Sequence, residues 1–367
     1  MTFTKDDLKK FQAENLDQKM DRSFAKIAEW FSRWSGAVYV SFSGGKDSTV
    51  LADLCARWCA VVGKTLYLLF IDTGLEYPEI RQHVKFFAQW LRDKYKIEVV
   101  LDIVRPEMRF DEVIKKYGYP IISKQIADTI QAAKKNIADG KLDTTRVKKI
   151  KGELTKKDGK KSFFCCEKYE PLLDVDFDIS SICCDIMKKN PAKEYGERTG
   201  RKPITAQMAC ESQQRKLQWL KFGCNGFDMK SPKSNPLSFW LEQDILSYIK
   251  RYKIPICNVY GEIIYEIFPE QLRIEDFGCC ADCGTDRLCT TGCDRTGCIF
   301  CGFGCAQEDE PRFVRLKKTH PRQYEYCIGG GEYNESGKWQ PNKKGLGMGH
   351  VFDVLNNIFG DDFIKYK

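Results

Sequence analysis

Residues 37–62 read as strand, glycine-paired turn and helix in direct succession, and few folds accommodate that order. Ala37, Tyr39 and Val40 form an apolar run typical of a buried strand, while Leu51, Leu54, Cys55, Trp58 and Val62 recur at helical spacing. Ser43-Gly44-Gly45-Lys46-Asp47-Ser48 therefore falls at a strand-to-helix turn, just beyond Ser41. The first N–H groups of a helix have no partner within it and favour an anion. Paired glycines let backbone approach a phosphate closely. Ser43 and Ser48 add hydroxyl donors, and Lys46 adds a point charge. The common ATPase loop, G-x-x-x-x-G-K-S/T, is a different pattern, since here the glycines are adjacent and Asp follows Lys. The competing explanation is a tight turn that binds nothing.

Strands and helices then alternate. Residues 66–72 and 97–104 read as strands, and Ile80, Val84, Phe87, Ala88 and Leu91 mark the helix between them. Such alternation predicts an α/β fold, a Rossmann-like doubly wound parallel sheet with helices on both faces. Ligands of such sheets bind beyond the carboxyl ends of the strands, where residues 43–48 and 72–76 both lie. In Asp72-Thr73-Gly74 a carboxylate and a hydroxyl suit a ribose or a phosphate-bound Mg²⁺, although an Asx-type turn explains the triplet equally well. Ahead of the first strand, Leu16, Met20, Phe24, Ile27, Phe31 and Trp34 line one face of a helix expected over 14–36, laid on the sheet and stopped by Gly36.

A chain of 367 residues suggests two or three domains. The expected division is a packing helix at 1–36, a nucleotide-binding domain at 37–260 with a basic insertion at about 134–162, and a cysteine-rich metal-binding region with a tail at 261–367. There is no run of eighteen apolar residues and no apolar leader at the charged N-terminus, so a cytoplasmic protein without a membrane span is expected. In a reducing compartment the 18 cysteines read as metal ligands or redox groups rather than disulfides. Only His83, His320 and His350 are present, which argues against a His-rich zinc site or a Ser-His-Asp machine. The net charge of +8 favours polyanionic partners, nucleotide attraction or solubility. Nine Lys/Arg against three acids between residues 141 and 161 read as a solvated loop or as a basic arm for nucleic acid, with aromatics only at Phe163 and Phe164.

Cys293, Cys298, Cys301 and Cys305 fall within thirteen positions. The C-x₄-C-x₂-C spacing of the first three matches an iron–sulfur loop, with Arg295 adding positive charge nearby and four-cysteine zinc as the rival. Cys279, Cys280, Cys283 and Cys289 form a further clump, suited to a second metal or to a decorated loop. Cys55 and Cys59 read as small buried hydrophobes. In 203–215, Glu211-Ser212 opens a helix one turn ahead of Arg215, whose planar fork suits a phosphate; a structural Glu211–Arg215 pair at i,i+4 is the alternative. Trp240 and Leu237 read as core, and Glu242 and Asp244 as acids favoured by a helix dipole.

Ser43–Ser48 resembles the pyrophosphate (PP) loop of the adenine-nucleotide α-hydrolase superfamily. The phosphoadenosine phosphosulfate reductase family is similar over residues 37 to about 305. Its DTG-x-E-x-PE pattern matches Asp72, Thr73, Gly74, Glu76, Pro78 and Glu79; its ITA-x-x-x-ES-x-x-R matches Glu211, Ser212 and Arg215; its PL-x-x-W-x-x-x-D runs from Pro236-Leu237 through Trp240 to Asp244. The CCD-x-MKK-x-P run beginning at Cys183-Cys184 resembles members often carried by phages. The resemblance implies Ser41, Ser43, Gly44, Gly45, Lys46, Asp47, Ser48, Asp72, Thr73, Gly74, Glu211 and Arg215 as nucleotide contacts, with Lys46, Asp47 and Arg215 catalytic. It implies a 4Fe–4S cluster rather than zinc, with ligands among Cys183, Cys184, Cys293, Cys298, Cys301 and Cys305. Two departures matter. The C-terminal ECG-type segment of reductases is missing, leaving Cys327 as the one cysteine after Cys305, and the loop is the full SGGKDS of ATP-cleaving members. Both point to cleavage of ATP into AMP and pyrophosphate with Mg²⁺, adenylating an acceptor in sulfur transfer. A nucleic-acid acceptor and a sulfur donor such as a cysteine desulfurase would be partners, and an oligomer is compatible. The alternatives are a sulfonucleotide reductase that uses Cys327, and a nucleotide- or nucleic-acid-binding module without turnover.

Overall fold

Two reciprocal caps open the chain in the computed structural model, which describes residues 3–265, 287–308 and 310–367. Thr4 and Asp7 cap α1 (Lys5–Gln12), and Asn15 and Gln18 cap α2 (Leu16–Arg33). The helix expected over 14–36 is thus confined by the Asn15 cap, and α1 precedes it. One face of α2 buries Met20, Ile27, Trp30 and Phe31. Ser23 on that face donates to the Pro236 carbonyl at 3.0 Å and accepts from the Trp240 indole at 2.9 Å. The almost fully buried Lys19 is tolerable because it meets Asp244 at 2.6 Å.

The chain divides into two compact units. The first comprises Met1–Asp72, Glu76–Arg105 and Pro191–Thr296. Its elements continue with β1 (Val38–Ser41), α3 (Lys46–Val62), β2 (Leu66–Ile71), α4 (Pro78–Tyr95) and β3 (Val99–Val104). A six-stranded sheet runs β3, β2, β1, Lys202–Ile204, Lys233–Ser234, Asn225–Gly226, with only the last strand antiparallel to its neighbour. Register pairs Val40 with Leu68 on one side of β1 and with Ile204 on the other. The chain therefore leaves β1 toward one neighbour and returns later on the opposite flank, which makes the carboxyl end of β1 a topological switch point. Val38, Tyr39 and Val40 are buried, as the apolar run predicted.

Helix α3 is fixed in place by one buried carboxylate. Asp53, fully inaccessible, accepts from Tyr248 at 2.6 Å, Tyr95 at 2.7 Å, Arg57 at 3.1 Å and Lys94 at 3.3 Å. Removing one partner of such a cluster would leave uncompensated buried polarity. The network ties α3 to α4 and to the helix Glu242–Tyr252. Cys55 and Cys59 lie in the same core, fully buried, as their spacing predicted.

The second unit comprises Thr73–Leu75, Pro106–Asn190 and Gly297–Lys367. It is mostly helical, with Lys124–Ala138 and Met348–Phe359 its longest helices. Its core gathers Val113, Ile130, Phe177, Phe313, Phe352 and Leu355. The solvated loop expected near 134–161 is corrected: Thr144 caps a helix Thr145–Ile150 that buries Val147 and Ile150, and Thr155 bridges Lys161 in a hairpin. No described helix is long and apolar enough to cross a membrane.

Candidate functional site

The turn leaving β1 is shaped by a glycine that only glycine fits. Gly44 has φ +74°, and a Cβ there would lie 2.9 Å from both Ile80 Cγ2 and Val84 Cγ2 on α4. Gly45 then caps α3 with an ordinary φ of −74°. The Ser43 amide donates to Ser48 Oγ at 3.2 Å, and the Ser48 hydroxyl donates to the Gly45 carbonyl at 2.9 Å. Ser43 Oγ lies 3.0 Å from Ser48 Oγ. The two serines thus hold the loop in shape.

Lys46, the first residue of α3, is only 3% exposed. Its ammonium donates to the Asp294 carbonyl at 2.6 Å and lies 3.0 Å from Glu242 Oε1. Its amide donates to the Tyr260 hydroxyl at 3.0 Å, and that hydroxyl lies 2.7 Å from Thr296 Oγ1. A Cβ on Gly45 would come within 3.2 Å of both hydroxyls. The Asp294 carbonyl, the Glu242 carboxylate and the Tyr260 hydroxyl, itself bonded to Thr296, therefore cover the helix N-terminus with oxygen acceptors.

Asp47 sits at the same place. Burial raises its carboxyl pKa, Lys46 opposes that shift, Glu211 and Glu242 add to it, and Arg295 opposes it again. Its Oδ1 is buried without a hydrogen-bond partner. An oxygen ligand of this kind fits Mg²⁺, which binds through one or two carboxylates and substrate phosphates.

The other sequence candidates are distributed unevenly. Ser41 ends β1 beside Leu69. Arg81 lies 2.7 Å from Asp72 Oδ1, at ion-pair distance but outside hydrogen-bond geometry, and Arg105 lies 3.5 Å from Oδ2. Thr73 and Gly74 belong to the second unit, where the Leu75 amide donates to Thr73 Oγ1 at 3.2 Å. Glu211 accepts from the Met208 amide at 2.8 Å and forms an ion pair with Arg215, whose own amide is capped by Ser212. The i,i+4 pair that competed with phosphate binding is thus formed. Glu242, Tyr260 and Thr296 were not among the sequence candidates. Arg295, read as a neighbour of the cysteines, acts on Asp47.

In the second unit, four thiols converge electrostatically. Cys183 donates to Cys184, and this bond, together with the Lys124 and Lys188 ammonium groups, holds the Cys184 thiol well below its ordinary pKa against the opposing effect of burial. The bond to Cys184, burial, and the charges of Cys184, Cys301 and Cys298 push Cys183 up. The pairing of Gly302–Phe303 with Ile121–Ile122 sets the cysteine loop beside the helix that begins at Lys124. Arg312 fastens that loop by donating to the Cys301 carbonyl at 2.9 Å and the Phe303 carbonyl at 3.2 Å. Cys305 donates to the Gly302 carbonyl at 3.0 Å, and burial pushes its thiol up to about 12. Cys293 belongs to the first unit, buried, with its amide bonded to the Val259 carbonyl at 2.8 Å. Every described cysteine is a free thiol. Among the described residues no three Cys, His, Asp or Glu side chains are grouped as a metal site. The donor chemistry of Cys183, Cys184, Cys298 and Cys301 nonetheless suits an iron–sulfur cluster. Cys279, Cys280 and Cys283 lie outside the described residues; Cys289 lies on the strand Leu288–Thr290.

An SGGKDS turn at the switch point of a mostly parallel sheet defines the PP-loop α/β fold. The model of the phosphoadenosine phosphosulfate reductase domain matches residues 37–302, and the chain belongs to that family. The α/β expectation and the resemblance read from the motifs are both borne out. Two uncharacterised proteins of Methanocaldococcus jannaschii are similar: MJ0973 is 35% identical over 111 residues, 30% of this chain and 24% of that protein. MJ0066 is 32% identical over 105 residues, 29% of this chain and 20% of that protein. The matched segments thus span a quarter or less of those relatives. Among solved structures, the NMN synthetase of Francisella tularensis matches at 14% identity and a TM-score of 0.31, covering 66% of this chain and 72% of its own. The U34-tRNA thiolase NcsA of Methanococcus maripaludis, solved with its 4Fe–4S cluster, matches at 14% identity and a TM-score of 0.34, covering 65% of this chain and 66% of its own.

Proposed function

We propose that this protein cleaves ATP between its α and β phosphates and adenylates an acceptor for sulfur transfer, with nucleic acid as the acceptor class. The observation that carries this reading is Lys46, buried at the N-terminus of α3, with the Asp47 carboxylate oxygen 3.9 Å from its ammonium and without a hydrogen-bond partner. An acceptor oxygen attacks the α-phosphorus, the bond from that phosphorus to the bridging oxygen breaks, and pyrophosphate leaves with the electron pair. The Gly45–Ser48 amides and Lys46 stabilise charge on the departing group. Bound Mg²⁺ would supply further neutralisation, with Asp47 among its ligands. Asp72, Glu211 and Arg215 bind or orient the nucleotide, Arg215 by exchanging Glu211 for a phosphate. A cluster held by Cys183, Cys184, Cys298 and Cys301 would supply or stabilise sulfur, fed by a donor such as a cysteine desulfurase.

The test is incubation with ATP and Mg²⁺ followed by product analysis. With no acceptor supplied, water takes its place at the α-phosphorus, so AMP and pyrophosphate in equal amounts are expected; ADP and phosphate would overturn the reading. The family name favours a second reading, reduction of a sulfonucleotide with release of sulfite. Cys327, its one C-terminal candidate nucleophile, is fully buried, and burial pushes its thiol well above the ordinary range. A buried protonated thiol is a poor nucleophile. Sulfite release that disappears in Cys327→Ser would restore that reading.

A further inference from the structure

Two phenylalanines in the second unit stand almost bare among lysines. Phe163 is 89% exposed and Phe164 62%, with ring centroids 6.1 Å apart. They follow directly on a hairpin: Thr155 bridges Lys161, the Ser162 amide donates to the Leu154 carbonyl at 2.7 Å, and the Lys156 amide donates to the Lys160 carbonyl at 2.7 Å. Gly159, at φ +77°, closes the tip. Ser162 is buried at the base and accepts from the Phe164 amide at 3.3 Å, so the rings stand on a fixed turn. Lys161 is neutralised by Glu167. Lys151, Lys156, Lys157 and Lys160 are exposed and make no ion pair among the described residues.

We propose that this hairpin and its two phenylalanines bind a single-stranded nucleic acid, stacking bases on Phe163 and Phe164 while the lysines meet phosphates; this deepens the acceptor class of the function proposed above, on which it rests. Exposed aromatic rings beside a run of cations are the arrangement that holds single strands without sequence preference. Protein interfaces are depleted in lysine, and four unpaired lysines around one aromatic pair run against that composition. Membrane-surface binding uses a continuous apolar helix face, whereas here two rings stand on a hairpin. Duplex DNA hides its base faces, so the rings select unstacked strands.

The experiment is fluorescence anisotropy of the full chain, without ATP, against labelled single-stranded RNA, single-stranded DNA, the matching duplex and phosphatidylserine-containing vesicles. Binding to either single strand supports the proposal, and the preferred strand identifies its source. The double variant Phe163→Ala, Phe164→Ala should weaken single-strand binding by roughly tenfold or more. The triple variant Lys156→Ala, Lys157→Ala, Lys160→Ala should flatten the salt dependence by about two in log–log slope. Melting temperatures report folding separately. Single-strand binding that neither variant alters, or attachment to vesicles with no affinity for strands, would overturn the proposal. Because no ATP is present, strand binding that depends on Phe163 and Phe164 stands even if AMP never forms, and AMP formation stands even if no strand binds.

Discussion

The ammonium of Lys46 donates to the backbone carbonyl of Asp294 at 2.6 Å, 248 positions along the chain, while its amide is held by Tyr260. The donors expected to meet a triphosphate are thus satisfied within the same unit, the amide by a neutral hydroxyl and the ammonium by a carbonyl and the Glu242 carboxylate. A phosphate that replaces the Tyr260 hydroxyl on the Lys46 amide makes a charge-assisted bond, roughly twice as strong as a neutral one. Tyr260→Phe removes the acceptor that competes for the Lys46 amide, and a net hydrogen bond is worth about 1 kcal/mol. ATP-analogue affinity should rise about fivefold by calorimetric titration. Unchanged or weaker binding would mean that the hydroxyl does not compete with phosphate.

Lys46→Ala should reduce AMP formation by about a hundredfold or more, the scale seen when one preorganised transition-state donor is lost. Lys46→Arg should recover little, because a planar fork does not replace a compact ammonium held in a buried site between the Asp294 carbonyl and the Glu242 carboxylate. Quenched-flow measurement of AMP checks both. Near-normal turnover in Lys46→Ala would place the chemistry elsewhere.

Gly44 and Gly45 should separate stability from binding. Gly44→Ala meets a left-handed φ and two methyl groups at 2.9 Å, so a loss of about 1–3 kcal/mol is expected in urea unfolding. Gly45→Ala has an ordinary φ, and its methyl would press on the Tyr260 and Thr296 hydroxyls at 3.2 Å. Its stability should change little, while ATP affinity falls severalfold by crowding at the helix N-terminus. Equal effects of the two on stability would contradict the geometry.

What the sequence revealed was local, and what it concealed was long-range. The strand-turn-helix at Ser43–Ser48 was legible because propensity, periodicity and glycine chemistry agree within a few residues. The strands expected at 66–72 and 97–104 are Leu66–Ile71 and Val99–Val104. Tyr260 lies 214 positions from Lys46 and carries no periodic signal of its contact. Glu242 already had an adequate explanation as a first-turn acid, which masked its approach to Lys46. The lysine density of residues 141–161 hid Val147 and Ile150, whose burial makes a helix of part of that segment. Arg215 had two readings from one spacing, and only coordinates show Glu211 holding its guanidinium.

His83 should give the first unit an acid-sensitive stability. It is buried on α4, stacks on Phe87 with ring centroids 5.6 Å apart, and leaves Nε2 without a hydrogen-bond partner. Burial lowers its pKa from 6.5 to about 4. The unfolded chain takes up a proton below pH 6.5 and the folded chain only near 4, so stability is complete above 6.5 and declines as pH falls toward 4. The full loss is about 3 kcal/mol. His83→Phe should flatten the difference between urea midpoints at pH 7 and pH 5. An unaltered pH dependence would assign it to other groups.

The cysteines of the second unit make the sharpest prediction, because electrostatic contacts and one hydrogen bond rank thiols that the sequence left equal. Cys183, Cys184, Cys298 and Cys301 interact electrostatically as a set, whereas Cys305, which also feels Cys301, spends its thiol hydrogen on the Gly302 carbonyl at 3.0 Å. A thiol must lose its proton to ligate a metal. Anaerobic reconstitution with iron and sulfide should give a brown protein with about four irons per chain. Serine at any of the first four positions should cut the iron content by more than half, whereas Cys305→Ser and Cys327→Ser should retain it. A colourless protein that binds zinc with the same four-residue dependence would replace the cluster by a structural zinc site. Iron lost only in Cys305→Ser would reverse the ranking. The readout is iron and absorbance rather than turnover, so it is independent of whether ATP is cleaved.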